Sequence, residues 1–276
     1  MRLIAAVLCG VLCALQPAAA NADSDRVYRF GVVPQFDARR TSAAWMPILE
    51  EISKRTGDRF ELVGSARIPV FEKEYEVGKF DFAFMNPYHL LRAWKTQGYR
   101  PLVRDAVPLR GAIIVPQDSA VRNLSDLDGQ RIAFPSPNAL AASLMTRAEL
   151  ARRGVRYEPL YVSTHSSVYL NVAKHQVAAG GGAQETYDAQ PAALRAQLRI
   201  LYTTPGVPSH PVAAHRRVPQ AVQERVRQAF LALGATESGR ALLEQVTLTQ
   251  IVPAKLDDYL LIEQLGLEKL FESDVP

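Results

Sequence analysis

The chain has 276 residues, with 32 Lys+Arg against 28 Asp+Glu, a formal net charge of +4 and two cysteines. That positive excess is mild and unclustered, which excludes the basic stripe of a nucleic-acid binder. At 48% hydrophobic and 22% charged, the sequence supports a full core in one large domain or two lobes.

Residues 1–22 read as a secretory signal peptide: Arg2, an apolar run from Leu3 to Leu15, then small residues that fit cleavage near Ala20 or Ala22. The run is shorter than the ~20 residues a bilayer span needs. No later segment reaches the ~18 uninterrupted apolar residues of a span. Leu8 and Leu12 precede Cys9 and Cys13, where a lipid-anchor signal has a small residue. Removing 22 of the 276 residues leaves 254, with net charge +3 and no thiol. Disulfides, thiolate nucleophiles and Cys-ligated metals are then excluded from the exported chain.

Along that chain, short apolar runs alternate with stretches of helical period. The pattern predicts a strand at residues 28–33, a helix at 42–56 closed by Gly57, and a strand at 60–63. A helix at 70–77 ends at Gly78, a strand covers 80–85, and a helix at 87–97 ends at Gly98. Strands follow at 112–115 and 131–134, separated by a polar turn at 123–129. Within that turn, Asp126-Leu127-Asp128-Gly129 is too short for a calcium loop. A helix at 139–153 closed by Gly154, a strand at 160–163, a helix at 167–174 and a strand at 177–180 come next. The remainder reads as a helix at 184–188, a turn at 191–197, strands at 199–203 and 212–215, and mainly helix from Pro219. This alternation argues for parallel α/β sheets, two of them at this length.

Ligands of open α/β sheets bind where strands end and helices begin. Three such junctions are unusually polar. In Phe84-Met85-Asn86-Pro87-Tyr88-His89, Asn86 suits an N-cap and Pro87 the first helical position. In Phe134-Pro135-Ser136-Pro137-Asn138-Ala139, either Ser136 or Asn138 caps the next helix. In Val162-Ser163-Thr164-His165-Ser166-Ser167, four hydroxyls and an imidazole gather at one helix start. Helix N-termini carry unpaired N–H groups and partial positive charge, so converging ones can hold a small anion without Lys or Arg. Capping alone explains any single junction, but His165 exceeds what capping needs. The run Gly180-Gly181-Gly182 permits close backbone approach or a tight turn.

At these junctions the sequence resembles the periplasmic phosphate, phosphite and phosphonate substrate-binding proteins of ABC transporters, over about residues 30–270. The matching pieces include Gly78-Lys79-Phe80-Asp81-Phe82-Ala83-Phe84, Asn123-Leu124-Ser125-Asp126-Leu127-Asp128-Gly129, Thr164-His165-Ser166-Ser167 and Pro208-Ser209-His210-Pro211. The resemblance implies a type II periplasmic-binding-protein fold: two α/β lobes, each a mainly parallel sheet flanked by helices, hinged and closing over a ligand. Lobe one is expected at residues 23–111 and 206–276, and lobe two at 112–205. The resemblance also implies that His165 contacts the phosphonate and that Glu185 sits where an acidic residue meets a substrate amine. Three departures stand out. Ala139-Leu140-Ala141 replaces a hydroxyl cluster, His210 replaces a carboxylate, and Ile68 stands where a tyrosine is expected.

The expected ligand set is Asn86, Tyr88, Ser136, Asn138, Ala139, Thr164, His165, Ser166, Ser167, Glu185 and His210. Asn86, Tyr88 and His210 approach from lobe one, and helix starts near Asn138 and His165 supply donors. Blander roles are expected elsewhere. Trp45 and Trp94 read as packing, Arg39 and Arg40 as exposed charge, and His175 and His215 as surface residues. His89, His165 and His210 lack metal-ligand spacing, and no cofactor is expected. A nucleophile–base pair at His165 and Ser166 would need an orienting carboxylate and an oxyanion hole, and no Gly-x-Ser-x-Gly elbow exists. The reading is therefore a monomeric, non-enzymatic periplasmic solute binder for a small oxyanion, partnered by a membrane permease. The alternative partner is a membrane sensor kinase, with closure used for signalling.

Overall fold

The computed structural model describes residues 26–272, so the export segment read at residues 1–22 lies outside the described residues. From the first strand, β1 (Val27–Val32), the chain runs through α1 (Ala38–Thr56), β2 (Arg59–Val63), α2 (Ile68–Glu76), β3 (Phe82–Phe84), α3 (Pro87–Gln97) and β4 (Arg100–Asp105). Then come β5 (Gly111–Pro116), β6 (Gln130–Phe134), a π-helical segment (Leu140–Met145), α4 (Thr146–Arg152), β7 (Tyr157–Tyr161), α5 (His165–Ala173) and β8 (Ala179–Ala183). The rest is α6 (Gln184–Asp188), α7 (Ala192–Arg195), β9 (Leu198–Thr203), β10 (Pro211–Ala214), α8 (Gln220–Gly234), α9 (Glu237–Glu244), β11 (Ile251–Pro253) and α10 (Asp257–Leu260).

The strands form two sheets, ordered β11-β4-β10-β3-β1-β2 and β7-β6-β8-β5-β9. In the first, β2, β1 and β3 pair in parallel, β10 runs against β3, and β4 runs against β10, so β4 points with the first three. In the second, β5 alone runs against its neighbours. Each sheet is thus mainly unidirectional, with antiparallel pairs where the chain passes between sheets. Two crossings make that passage, one between β4 and β5 and one between β9 and β10. They pair with each other at Leu109 and Val207, whose N–H groups donate to each other's carbonyls at 2.8 and 2.9 Å.

Most elements follow from local sequence. Trp45, Ile48, Leu49 and Ile52 recur at helical spacing and are the buried face of α1. Trp45 packs 5.1 Å from Phe30 and 5.0 Å from Phe84, ring centre to ring centre. Burial of each such side chain stabilises by about 1.5–3 kcal/mol. Asp37 caps α1 by accepting from Arg40 N at 2.9 Å, which starts the helix ahead of the expected Ser42. Arg39 and Arg40 therefore lie inside the helix rather than before it. His215, expected at the surface, is buried edge-on against Tyr99 at 4.9 Å.

Two elements differ from expectation for a shared reason. The single helix expected at 139–153 begins as a π-helical turn, and the three glycines lie within β8 instead of ending a strand. A Cβ on Gly181 would collide with the Ala142 carbonyl oxygen and the Phe134 ring, and one on Gly111 of β5 with the Ala141 carbonyl oxygen. Bare backbone in β5 and β8 lets the wide π turn settle directly onto the sheet. Thr146 Oγ1 donates to Ala142 O at 2.6 Å, supporting the same turn from its far end. We expect Gly181→Ala to destabilise the fold by about 1–3 kcal/mol through overpacking, read as a lower urea midpoint. An unchanged midpoint would mean that the π turn can retreat from the sheet.

Candidate ligand-binding site

A small cavity lies between the two sheets, at the ends of their strands. It is lined by Val33 and Gln35 after β1, Ile68 at the start of α2, and Asn86 at the start of α3. Ala139 to Ala142 at the start of the π turn, His165 at the start of α5, Ala183 at the end of β8, and His210 complete it. Its volume is about 10 Å³, room for about one water, so a larger ligand enters only when the halves part. Helix starts reach it from both sides. The first-turn N–H groups of Leu140, Ala141 and Ala142 have no intrahelical acceptor, and Ala139 offers no side-chain cap. Ser163 adopts a left-handed φ of 71° just before the Thr164 cap, turning α5 so that its N-terminus faces the other sheet. There His165 N donates to the Gln35 carbonyl at 3.3 Å.

The polar side chains are tightly arranged. Gln35 Nε2 lies 3.4 Å from both Glu185 Oε1 and His210 Nε2, and His210 Nδ1 lies 3.5 Å from the same carboxylate oxygen. An amide nitrogen only donates and a carboxylate only accepts. His210 therefore accepts at Nε2 and carries its hydrogen on Nδ1, the nitrogen that faces Glu185. His165 Nδ1 lies 3.1 Å from Thr186 Oγ1, which lies 2.8 Å from Ala183 O. Thr186 Oγ1 also lies 2.6 Å from Tyr169 OH, so its one hydrogen is contested by three neighbours and does not fix the His165 tautomer. Burial lowers His165 to about 4. Burial also lowers His210 to about 3, with the neighbouring His89 and His165 pushing the same way. Burial raises Glu185 to about 7 against the lowering effect of the Gln35 hydrogen bond. Both imidazoles are neutral at neutral pH.

Of the residues expected from sequence, Asn86, Ala139, His165 and His210 line the cavity, and Glu185 adjoins it through Gln35 and His210. Ile68 and the Ala139-Leu140-Ala141 stretch, singled out as departures, form its apolar wall. Thr164 caps α5, accepting from Ser167 N at 3.1 Å, and Ser166 and Ser167 are half-buried outside the lining. Ser136 is buried off the cavity, with no partner for its hydroxyl among the described residues. Tyr88 stacks 5.5 Å from Phe271 instead of facing the cavity. Asn138 is fully buried and engaged on both sides of its amide. Its Oδ1 accepts from Glu272 N at 2.9 Å, and its Nδ2 donates to Glu272 O and to Glu72 Oε2 at 2.8 and 3.1 Å.

These contacts clasp the two halves together. Glu272 also meets Arg147 at 3.1 Å and Tyr161 OH at 3.0 Å. On the opposite edge, Arg40 Nη2 donates to Ala189 O at 3.1 Å while its guanidinium lies over Phe36. Sequence reading missed Gln35, Val33, Leu140, Ala142 and Ala183 in the lining, and Glu72 behind it. Only Gln35 had a signal, since it follows β1 at a fourth strand-to-helix junction. Among the described residues no cluster of His, Cys, Asp and Glu is arranged to hold a metal, and no helix is long and apolar enough to cross a membrane.

Two α/β halves joined by paired crossings, with helix starts converging on a buried cavity, define the two-lobe fold of type II periplasmic binding proteins. The binding protein component of an ABC phosphonate transporter from Pseudomonas aeruginosa shares that fold, with TM-score 0.78 and 20% identity, covering 88% of this chain and 86% of that one. A Prochlorococcus marinus protein solved with methylphosphonate has TM-score 0.80 at 14% identity, covering 88% and 98%. In sequence, the phosphonates-binding periplasmic protein of Escherichia coli is 21% identical over 249 residues, 84% of this chain and 73% of that one. Residues 30–259 match the family of periplasmic phosphonate substrate-binding proteins of ABC transporters, and the chain belongs to that family. Its members are periplasmic substrate binders, not enzymes.

The raised Glu185 has a measurable consequence. Its ordinary value is 4.5, so between about 4.5 and 7 the folded chain holds a proton that the unfolded chain has lost. Stability contributed by the protonated carboxyl is present below pH 4.5 and lost as pH rises through 7. Glu185→Gln should therefore gain stability over the parent as pH rises across that window, by at most about 3 kcal/mol. Urea unfolding at pH 4, 6 and 8 checks this. A stability difference independent of pH would show that Glu185 ionises as freely in the folded chain as in the unfolded one.

Proposed function

We propose that this binding protein captures a small phosphorus oxyanion, of the size of methylphosphonate or phosphite, in the cavity between its halves. The carrying observation is the row of N–H groups on Leu140, Ala141 and Ala142, without acceptors among the described residues, converging with the His165 ring on one enclosed space. Unpaired backbone donors at a helix start suit an anion, and the membership of a phosphonate-binding family agrees with that chemistry. The halves act as lobes, residues 23–111 with 206–276 and residues 112–205, hinged at the Leu109–Val207 pairing. Opening them admits the ligand, and closing them presents a surface to a membrane permease. Residues 1–22 direct the export that this role requires.

The wall supports a compact ligand over an aminoalkyl one. Glu185, which the resemblance would assign to a substrate amine, is engaged by Gln35 and His210, and Ile68, Val33 and Leu140 present only hydrocarbon.

Thermal shift and calorimetry with methylphosphonate, phosphite, phosphate, sulfate and 2-aminoethylphosphonate test the reading. At 100 times the dissociation constant, a bound anion stabilises by about 2.7 kcal/mol. We expect that response for methylphosphonate or phosphite, and its loss in His165→Ala. If none of these anions raises the melting temperature, the oxyanion reading is wrong.

A further inference from the structure

Behind the cavity lies a chain of polar side chains that ligand capture, as described, leaves without a role. Glu72 on α2 is 7% exposed and His89 on α3 is fully buried. Glu72 Oε1 lies 2.8 Å from His89 Nε2, and Asn86 Nδ2 lies 3.1 Å from that same nitrogen. His89 Nδ1 has no partner among the described residues.

One ring nitrogen cannot serve both neighbours. A carboxylate only accepts, so the Glu72 contact requires a hydrogen on His89 Nε2. A nitrogen carrying that hydrogen has no lone pair for the Asn86 amide. Asn86 cannot escape by flipping, because its Oδ1 caps α3 by accepting from His89 N at 2.8 Å. The Asn86 Nδ2 hydrogens are thus left without an acceptor among the described residues, in a residue that lines the cavity. Without Glu72, the hydrogen would be free to move to Nδ1, and Nε2 would then take the Asn86 amide for itself. The buried carboxylate decides which happens.

We propose that Glu72 is a positioning residue: by holding the hydrogen on His89 Nε2, it releases the Asn86 amide as a donor to the bound ligand. Sequence offers no hint of it, since Glu72 sits mid-helix among other charged residues. The inference rests on the oxyanion reading of the cavity, and its test separates the two.

The position of the imidazole hydrogen is read by long-range proton–nitrogen correlation spectra of the ligand-free protein. A hydrogen on His89 Nε2 is expected. One found only on Nδ1 overturns the proposal, whatever the protein binds. The functional arm uses calorimetry with methylphosphonate, or with phosphite where that binds more tightly. Asn86→Ser keeps a capping oxygen and removes the amide donor, and Glu72→Leu removes the carboxylate while filling its space. Each should weaken binding about tenfold, the scale of one hydrogen bond to a charged ligand. In Glu72→Leu the ring hydrogen should move to Nδ1. The double variant should lose no more than the weaker single one, because both changes remove the same donor. Losses that multiply to about a hundredfold, or a Glu72→Leu protein that binds as tightly as the parent, would sink the proposal. If the parent binds none of the anions, the oxyanion reading fails, and the spectra still decide whether Glu72 orders this chain.

Discussion

Helix starts from both halves meet in one nearly dry seam, and every polar group buried there needs a partner. An unsatisfied buried donor or acceptor costs about 1–3 kcal/mol, which is large against the whole stability of a domain. The seam meets this demand by pairing across the halves. His165 N of α5 finds the Gln35 carbonyl, Asn138 is held by Glu72 and by the backbone of Glu272, and Arg40 reaches the Ala189 carbonyl. Gln35 is the pivot, since its backbone serves one half and its amide is divided between Glu185 and His210. The N–H groups that start the π turn stay outside this pairing and face the candidate cavity.

The π turn depends in turn on the absence of side chains in the strands beneath it. Gly111 and Gly181 belong to adjacent antiparallel strands, and each accommodates one carbonyl of the turn. The space that would elsewhere hold a hydroxyl-bearing helix start is filled by backbone set close to the sheet. Leu140, Ala141 and Ala142 then present N–H groups without competing hydroxyls. Packing and recognition are one feature here: glycines that look like a turn signal set the depth of the donors.

Much of this architecture was legible in the sequence. Glycine-closed helices, the strand-to-helix junctions and the family resemblance placed two α/β halves with a cleft between them. β4 and β11 escaped notice for physical reasons. Arg100-Pro101 opens β4 with a charge and a residue that cannot donate, and β11 has three residues whose pairing comes from β4 alone. At the site, His165 and Asn86 were readable because an imidazole or a capping amide at a helix start is unusual in itself. Glu72 was not, and Gln35 only as a residue following β1 at a junction, because their roles depend on partners far along the chain. Gln35 meets residues 150 and 175 positions away. Asn138 follows the same logic: its amide is engaged by the C-terminal segment at Glu272 and by Glu72, partners far along the chain.

The charge of the seam limits what it can hold. Among the described residues no lysine or arginine lines the cavity, and Arg40 is turned to Ala189 and Phe36. Both imidazoles are held neutral by burial, and Glu185 stands one contact away from the site. An anion entering such a space exchanges its hydration for backbone dipoles and amides, whose partial charges compensate about one unit of charge far better than two. A second negative charge would face the Glu185 carboxylate with nothing to balance it. Protonation of either the ligand or Glu185 relieves that conflict, and burial has already moved Glu185 to the range where such a proton is available. On the proposed reading, selection by this pocket acts on ionic state as much as on shape: hydrocarbon walls limit the size of the head group, and a lining of dipoles favours a single charge.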